Sequence, residues 1–188
     1  MKLNLGCGRN IKSGWVNLDR APCDGVDVVA DLDRCRIERL PFENDSVEEF
    51  LLSHVLEHVS DSLALMEELH RIAAPDALMT IRVPYGSSDG AWEDLTHVRP
   101  YFLGSFGYFG QPFYWRADYG YRGDWRCNDI YLAIDDRFRG NDQDTIMAAV
   151  HSERNVVTEM VATLSPVKPI RSQDSSLQID PKIWLSFK

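Results

Sequence analysis

Short apolar runs that end on glycines or acids fill the first half of the chain. Leu3-Asn4-Leu5 leads into Gly6-Cys7-Gly8, Val16-Asn17-Leu18 ends on Asp19, and Val26-Asp27-Val28-Val29-Ala30 ends on Asp31. Phe50-Leu51-Leu52 and Leu78-Met79-Thr80-Ile81-Arg82-Val83 continue the series. Near-continuous runs of this kind suit strands of a buried parallel sheet. Over residues 61–74 the period changes, and Leu65, Met66, Leu69, Ile72 and Ala73 recur at helical spacing behind Ser60 or Asp61 as N-cap. Residues 86–90, Gly-Ser-Ser-Asp-Gly, break the pattern. Two strand-like runs follow, 129–134 and 156–164, with a polar stretch between them. Pro166, Pro169 and the polar residues 171–176 predict a C-terminal tail draped over the surface.

Only residues 9–13 separate the first two runs. A parallel crossover normally takes a dozen or more residues, usually with a helix. The first crossover helix is therefore expected to be reduced to a turn, which leaves one sheet face thinly covered. The turn itself carries chemistry. Glycines at 6 and 8 let the backbone bend sharply and let a ligand approach without a Cβ in the way. A carboxylate at Asp19, ending the next strand, can accept two hydrogen bonds from the vicinal hydroxyls of a ribose. Together they suit an adenosine-type cofactor.

The chain has 188 residues, 44% hydrophobic and 26% charged, which is the composition of one ordinary globular domain spanning 1–188. A net charge of −9 disfavours nucleic acid and anionic membranes as partners. Cys7, Cys23, Cys35 and Cys127 lack metal-type spacing, and no apolar run reaches membrane length. Free thiols and a cytoplasmic location are expected.

Taken in order, these runs resemble the class I S-adenosylmethionine-dependent methyltransferases, particularly the small type 11 group. Leu40-Pro41-Phe42, Asp45-Ser46-Val47 and Ser53-His54-Val55-Leu56-Glu57-His58 belong to the series. The likeness covers residues 2–84, with a weaker echo at Thr96-His97-Val98-Arg99-Pro100. It implies a Rossmann-like α/β three-layer sandwich, its mostly parallel seven-stranded sheet completed by an antiparallel edge hairpin, with S-adenosyl-L-methionine as cofactor. On that likeness Gly6 and Gly8 lie beside the methionine end and Asp19 holds the ribose. Asp31 and Leu32 flank the adenine, and Ser53 with His54 lies under the cofactor near the methyl. Asn4 stands where the family usually carries an acid; its amide can still accept a hydrogen bond but gives up charge attraction to the cofactor's ammonium. Cys7 either touches the cofactor or serves as a small packing residue in the turn.

Methyl transfer from a sulfonium needs the acceptor positioned, desolvated and, for a hydroxyl or amine, deprotonated. Candidates for the base are His54, His97, Glu57 and Asp94, with His54 and His97 foremost. Eleven of the twenty Phe, Trp and Tyr residues fall within 101–125. These rings, inside an insertion or cap over 85–128, either form a satellite core replacing the lost coverage or line an acceptor cleft. The expected acceptor is a small molecule such as a sugar or other hydroxyl compound. An apolar patch around Phe106-Gly107-Tyr108-Phe109 predicts a homodimer. A different class of reading keeps the fold as a cofactor-binding or assembly module with little catalysis. His54-Val55-Leu56-Glu57-His58 also matches H-x-x-E-H, the pattern of some zinc hydrolases. That reading needs all five residues on one helix, whereas His54 ends an apolar run, so no metal is expected.

Overall fold

Val28, Leu18, Leu5, Leu52, Ile81, Ala162, Ile130 and Ile183 stand opposite one another in turn across the whole sheet. The six inner members are fully buried, each worth about 1.5–3 kcal/mol for an aliphatic side chain larger than alanine. This row is the spine of the computed structural model, which describes residues 1–187. The strands are β1 (Lys2–Leu5), β2 (Val16–Asp19), β3 (Val28–Val29), β4 (Val47–Ser53), β5 (Ala73–Pro84), β6 (Trp125–Ile134), β7 (Val157–Pro166) and β8 (Lys182–Phe187). Their order is β3-β2-β1-β4-β5-β7-β6-β8. The first five are parallel, and β7 runs antiparallel to both β5 and β6. The expected Rossmann-like sheet with its antiparallel element is present, with eight strands instead of seven.

The eighth strand corrects the expectation of a surface tail. Residues 182–187 alternate between exposed and half-buried, with Ile183, Leu185 and Phe187 turned toward the core, and pair in parallel with β6. The polar, proline-marked stretch ends before Lys182, and a period-two strand follows it.

Helix α1 (Ser62–Ile72) starts where the Asp61 carboxylate accepts the Ala64 amide at 3.0 Å. It stops at Ala73, which is already extended, because the residue before Pro75 is biased away from helical backbone. A short α2 (Gly90–Glu93) and α3 (Gln143–Ser152) complete the helices. No helix joins β1 to β2, as the spacing predicts, and none joins β2 to β3. Between β3 and β4 there is only a 3₁₀ turn at Leu32–Arg34.

A pair of asparagines does the work of the first crossover helix. Asn4 and Asn17 face each other in register on β1 and β2, both buried. Asn4 Nδ2 donates to the Asn10 carbonyl at 2.8 Å and to Asn17 Oδ1 at 2.9 Å. Asn17 Oδ1 also accepts the Lys12 amide at 2.9 Å. These bonds satisfy loop groups that a helix would otherwise pair internally. A carboxylate at position 4 could not donate them.

The ring-rich segment packs as core. Tyr101, Phe106, Phe109, Tyr114, Tyr121 and Trp125 are buried. Trp125 meets the Phe50 ring edge-on at 6.1 Å and donates Nε1–H to the Met66 carbonyl of α1 at 2.9 Å. The segment therefore covers the face that carries α1. The β1–β2 and β4–β5 connections run in opposite directions from the centre of the sheet, so right-handed crossovers place them on opposite faces. The rings do not replace the missing first helix. Phe106 and Phe109 are also withdrawn from the surface, leaving Tyr108 alone exposed in the patch expected to drive dimerisation.

Candidate active site

The C-terminal ends of β1, β2, β3 and β4 lie side by side where the chain order reverses, the place where open α/β sheets bind ligands. Two cavities meet there at Gly6. One, of about 420 Å³, is lined by Asp19, Arg20, Asp31, Leu32, His54, Val55, His58 and Thr96 among others. The second, of about 290 Å³, is lined by Asn4, Cys7, Asn10, Lys12, Leu51 and Ser53 among others. Of the residues singled out in the sequence, Gly8, Glu57, Asp94 and His97 line neither cavity, and the others come together here.

Gly6 holds φ +58°, and a Cβ there would lie 2.6 Å from Cγ2 of Val55. Glycine is required on both counts: the backbone is left-handed and the turn after β4 packs directly against it. Gly8, at φ +51°, donates its amide to Asp19 Oδ2 at 2.8 Å, and Asp19 Oδ1 accepts the Ala21 amide at 2.9 Å. Each carboxylate oxygen keeps a further lone pair for a ligand hydroxyl. Asp31 caps the 3₁₀ turn through the Asp33 amide at 3.1 Å, which seats Leu32 in the wall. The Cys7 thiol is buried and pushed above its usual range, first by burial and then by the charge of Asp19. It packs in the turn as a protonated small residue.

His54 follows β4 at φ +55°, a left-handed conformation that non-glycine residues hold only where surroundings enforce it. Its amide donates to the Arg82 carbonyl at 2.9 Å. Nε2 lies 3.0 Å from Glu159 Oε1, and Arg82 Nη1 donates to Glu159 Oε2 at 2.8 Å. Nδ1 is 3.3 Å from Glu57 Oε1. His97 is held differently: its Nδ1 is 3.1 Å from the Ala91 carbonyl, and its ring packs edge-on to His58 at 4.7 Å. Asp94 accepts the Thr96 amide and hydroxyl at 2.8 and 2.6 Å, and these two bonds hold its carboxyl below the usual range. His54 and His58 do not share a helix. His54 follows the last residue of a strand and His58 closes a three-residue 3₁₀ turn, Leu56–His58, so the zinc-hydrolase geometry is absent.

Sequence reasoning missed Thr96 and Arg20 as wall residues, and it missed the bracing of His54 by Glu159 and Arg82. Glu159 lies 105 residues further along the chain, so no local spacing signals it.

A family model for a methyltransferase domain matches residues 3–81. No curated protein matches the chain. A SAM-dependent methyltransferase from Archaeoglobus fulgidus superposes with a TM-score of 0.57 at 13% identity, covering 87% of this chain and 84% of that one. The YcgJ protein from Bacillus subtilis gives 0.54 at 12%, covering 88% and 90%. The cyclase SpnF gives 0.53 at 14%, covering 88% and 75%. At such identities these structures speak for the fold, and the family model speaks for the motifs laid along it. Residues 3–81 thus match a methyltransferase domain, and the chain as a whole has the fold of these S-adenosylmethionine-dependent enzymes.

Proposed function

We propose that the chain methylates a hydroxyl of a small-molecule acceptor, a sugar or related compound, with His54 as the base. The observation that carries this reading is the position of His54, strained and braced, on the wall of the cavity that Gly6, Asp19, Asp31 and Leu32 also line. The donor set fits an adenosine cofactor: a carboxylate with spare lone pairs, an apolar wall, and a glycine turn with open space where a Cβ of Gly8 would stand. S-adenosylmethionine supplies a methyl on a sulfonium, whose departure needs no acid. Asp19 would hold the ribose hydroxyls, Asp31 and Leu32 the adenine, and Gly6, Cys7, Gly8 and Ser53 would border the methionine end. Asn4 acts through the loop, since both of its amide hydrogens are engaged there.

Glu159 accepts the Nε2 proton of His54, which leaves Nδ1 with the lone pair that can take the acceptor's proton. His97 is the weaker candidate because its ring is turned to the Ala91 carbonyl and does not line the cavity. Leu95 is 98% exposed beside Thr96 at the crevice, and Val98 is exposed as well. A second copy of the chain covering them would complete the crevice, in place of the patch at 106–109. The acidic surface fits a cytoplasmic small-molecule enzyme better than one acting on nucleic acid.

Calorimetry with S-adenosylhomocysteine should show micromolar binding, roughly −7 to −8 kcal/mol. Labelled-methyl transfer to a panel of sugar hydroxyls should then be lost in His54→Ala while that binding persists. Absence of binding to the intact protein would end this reading. A second reading, a module that binds cofactor without transferring methyl, is favoured by the three helix-poor crossovers. Binding with no transfer to any acceptor would support it. Light scattering decides the dimer, since a species of 21.5 kDa at high concentration excludes it.

A further inference from the structure

We propose that Glu57, His58 and His97 form a binding site for a divalent transition-metal ion, such as zinc, in the wall of the crevice. One ligand atom from each lies within 4.8 Å of the other two. This is not the H-x-x-E-H pair, because His54 is turned to Glu159 and the third group comes from the loop after β5. The Val98 amide donates to the Glu57 carbonyl at 2.8 Å, which ties that loop to the turn carrying Glu57 and His58.

Two independent observations point to a cation. The first is Glu57 itself, only 2% exposed. Among the described residues, neither of its carboxyl oxygens has a hydrogen-bond partner. His54 Nδ1 lies 3.3 Å from Oε1 but lacks hydrogen-bond geometry, and with its proton on Nε2 the ring offers Glu57 no donor. A buried carboxylate in that state is costly unless a cation meets it. The second is how the two imidazoles are held. His58 Nδ1 is 3.2 Å from the Thr96 carbonyl and 3.0 Å from the Thr96 hydroxyl, whose own proton goes to Asp94. His97 Nδ1 is 3.1 Å from the Ala91 carbonyl. Every one of these oxygens can only accept, so both rings carry their proton on Nδ1 and keep the lone pair on Nε2. Anchoring of the far nitrogen by a backbone carbonyl is how metal-binding histidines are oriented.

Two imidazoles and one carboxylate select zinc, cobalt or a similar ion over magnesium or calcium, which prefer oxygen ligands throughout. Three protein ligands leave a coordination position open, and His58 lines the cavity shared with Asp19 and His54. Metal binding here stands apart from the methyl-transfer reading, and either can fail without the other.

The test is calorimetric titration of the chelator-treated full chain with zinc chloride, repeated with cobalt chloride while visible absorption is followed. One ion per chain is expected, with a rise in melting temperature. Glu57→Gln and His97→Ala should each weaken zinc about tenfold or more, while His54→Ala leaves it in place. Circular dichroism checks that each variant is folded. Because Glu57 is buried, His97→Ala on the loop serves as the second, less invasive variant. No zinc uptake, or uptake that His97→Ala leaves unchanged, overturns the site; loss of zinc in His54→Ala overturns the ligand set.

Discussion

Asp124 and Glu57 are carboxylates buried at opposite ends of the same sheet, and only one of them has its hydrogen bonds. Asp124 precedes β6 and is 0% exposed. It accepts from Arg171 at Nη2 (2.6 Å), Nε (2.9 Å) and the amide (2.8 Å), and from the Gln111 amide (3.1 Å). Gln111 in turn donates to the Tyr121 and Gly123 carbonyls at 2.8 Å each. Around them the aromatic segment packs beneath α1. At the other end the chain holds Gly6, Gly8 and His54 in left-handed backbone and leaves both Glu57 oxygens without hydrogen bonds. The first arrangement ties residues 101–125 and the C-terminal segment to the sheet. The second keeps polar groups and space available for a ligand, at the cost of local stability.

Breaking the satisfied end should have the largest effect. Arg171→Ala leaves buried Asp124 with two amide hydrogen bonds but no counter-charge, which costs about 3–5 kcal/mol. For a chain of this size that lowers the melting temperature by roughly 10 °C, measured by scanning calorimetry. The folded fraction should bind S-adenosylhomocysteine as before, since the change lies at the far end of the sheet. A loss of only a degree or two would mean that Asp124 is not the anchor described.

At the crevice the signature reverses, with function falling further than stability. Gly6→Ala forces a side chain into left-handed backbone and against Val55, at about 1–3 kcal/mol. Asp19→Ala removes the two oxygens proposed to hold the ribose and should weaken S-adenosylhomocysteine by about 2 kcal/mol in calorimetry. If Asp19→Ala instead lowers the melting temperature while the folded protein binds as before, its bonds to Gly8 and Ala21 are its main role. Glu57→Gln, in metal-free protein, sharpens the contrast most directly. Neutralising an unpartnered carboxylate should leave the melting temperature level or raise it, within about 1 kcal/mol, whereas Asp124→Asn should lower it clearly. Equal losses from both substitutions would show that Glu57 is as well satisfied as Asp124.

Much of the crevice was legible because its signals are local. Gly6, Gly8 and Asp19 sit where apolar runs stop, and the parallel strands follow from runs buried on both faces. Asn4 was legible as a departure from the family's acid, but its reason required the register. Only with Asn4 opposite Asn17 does the amide become the donor that replaces a helix. The bracing of His54 depends on β7 lying beside β5, which no spacing in the first half of the chain reveals. Strand β8 was within reach of the alternation in residues 182–187, yet the prolines and polar residues before it suggested a tail. The aromatic segment carried two readings because ring content alone does not say which face of the sheet it covers.

The smallest effect tests whether the far end also responds to pH. His70, on α1 and 7% exposed, packs edge-on to Trp125 at 5.8 Å and donates Nε2–H to the Val167 carbonyl at 3.1 Å. Burial holds its imidazole below the usual histidine range; the Val167 bond opposes this, and nearby Lys168 adds to it. The unfolded chain therefore takes up a proton near the ordinary value of about 6.5, while the native protein resists until lower pH. Between those two points the unfolded state binds more protons, so stability is complete above about 6.5 and drains away as the solution is acidified. Melting curves from neutral pH downward should show this decline. His70→Gln can keep the bond to Val167 without titrating, so its curve should be flatter over the same range. An unchanged slope in that variant would show that His70 is not the source of the decline and that the satisfied end of the sheet does not set this protein's response to acid.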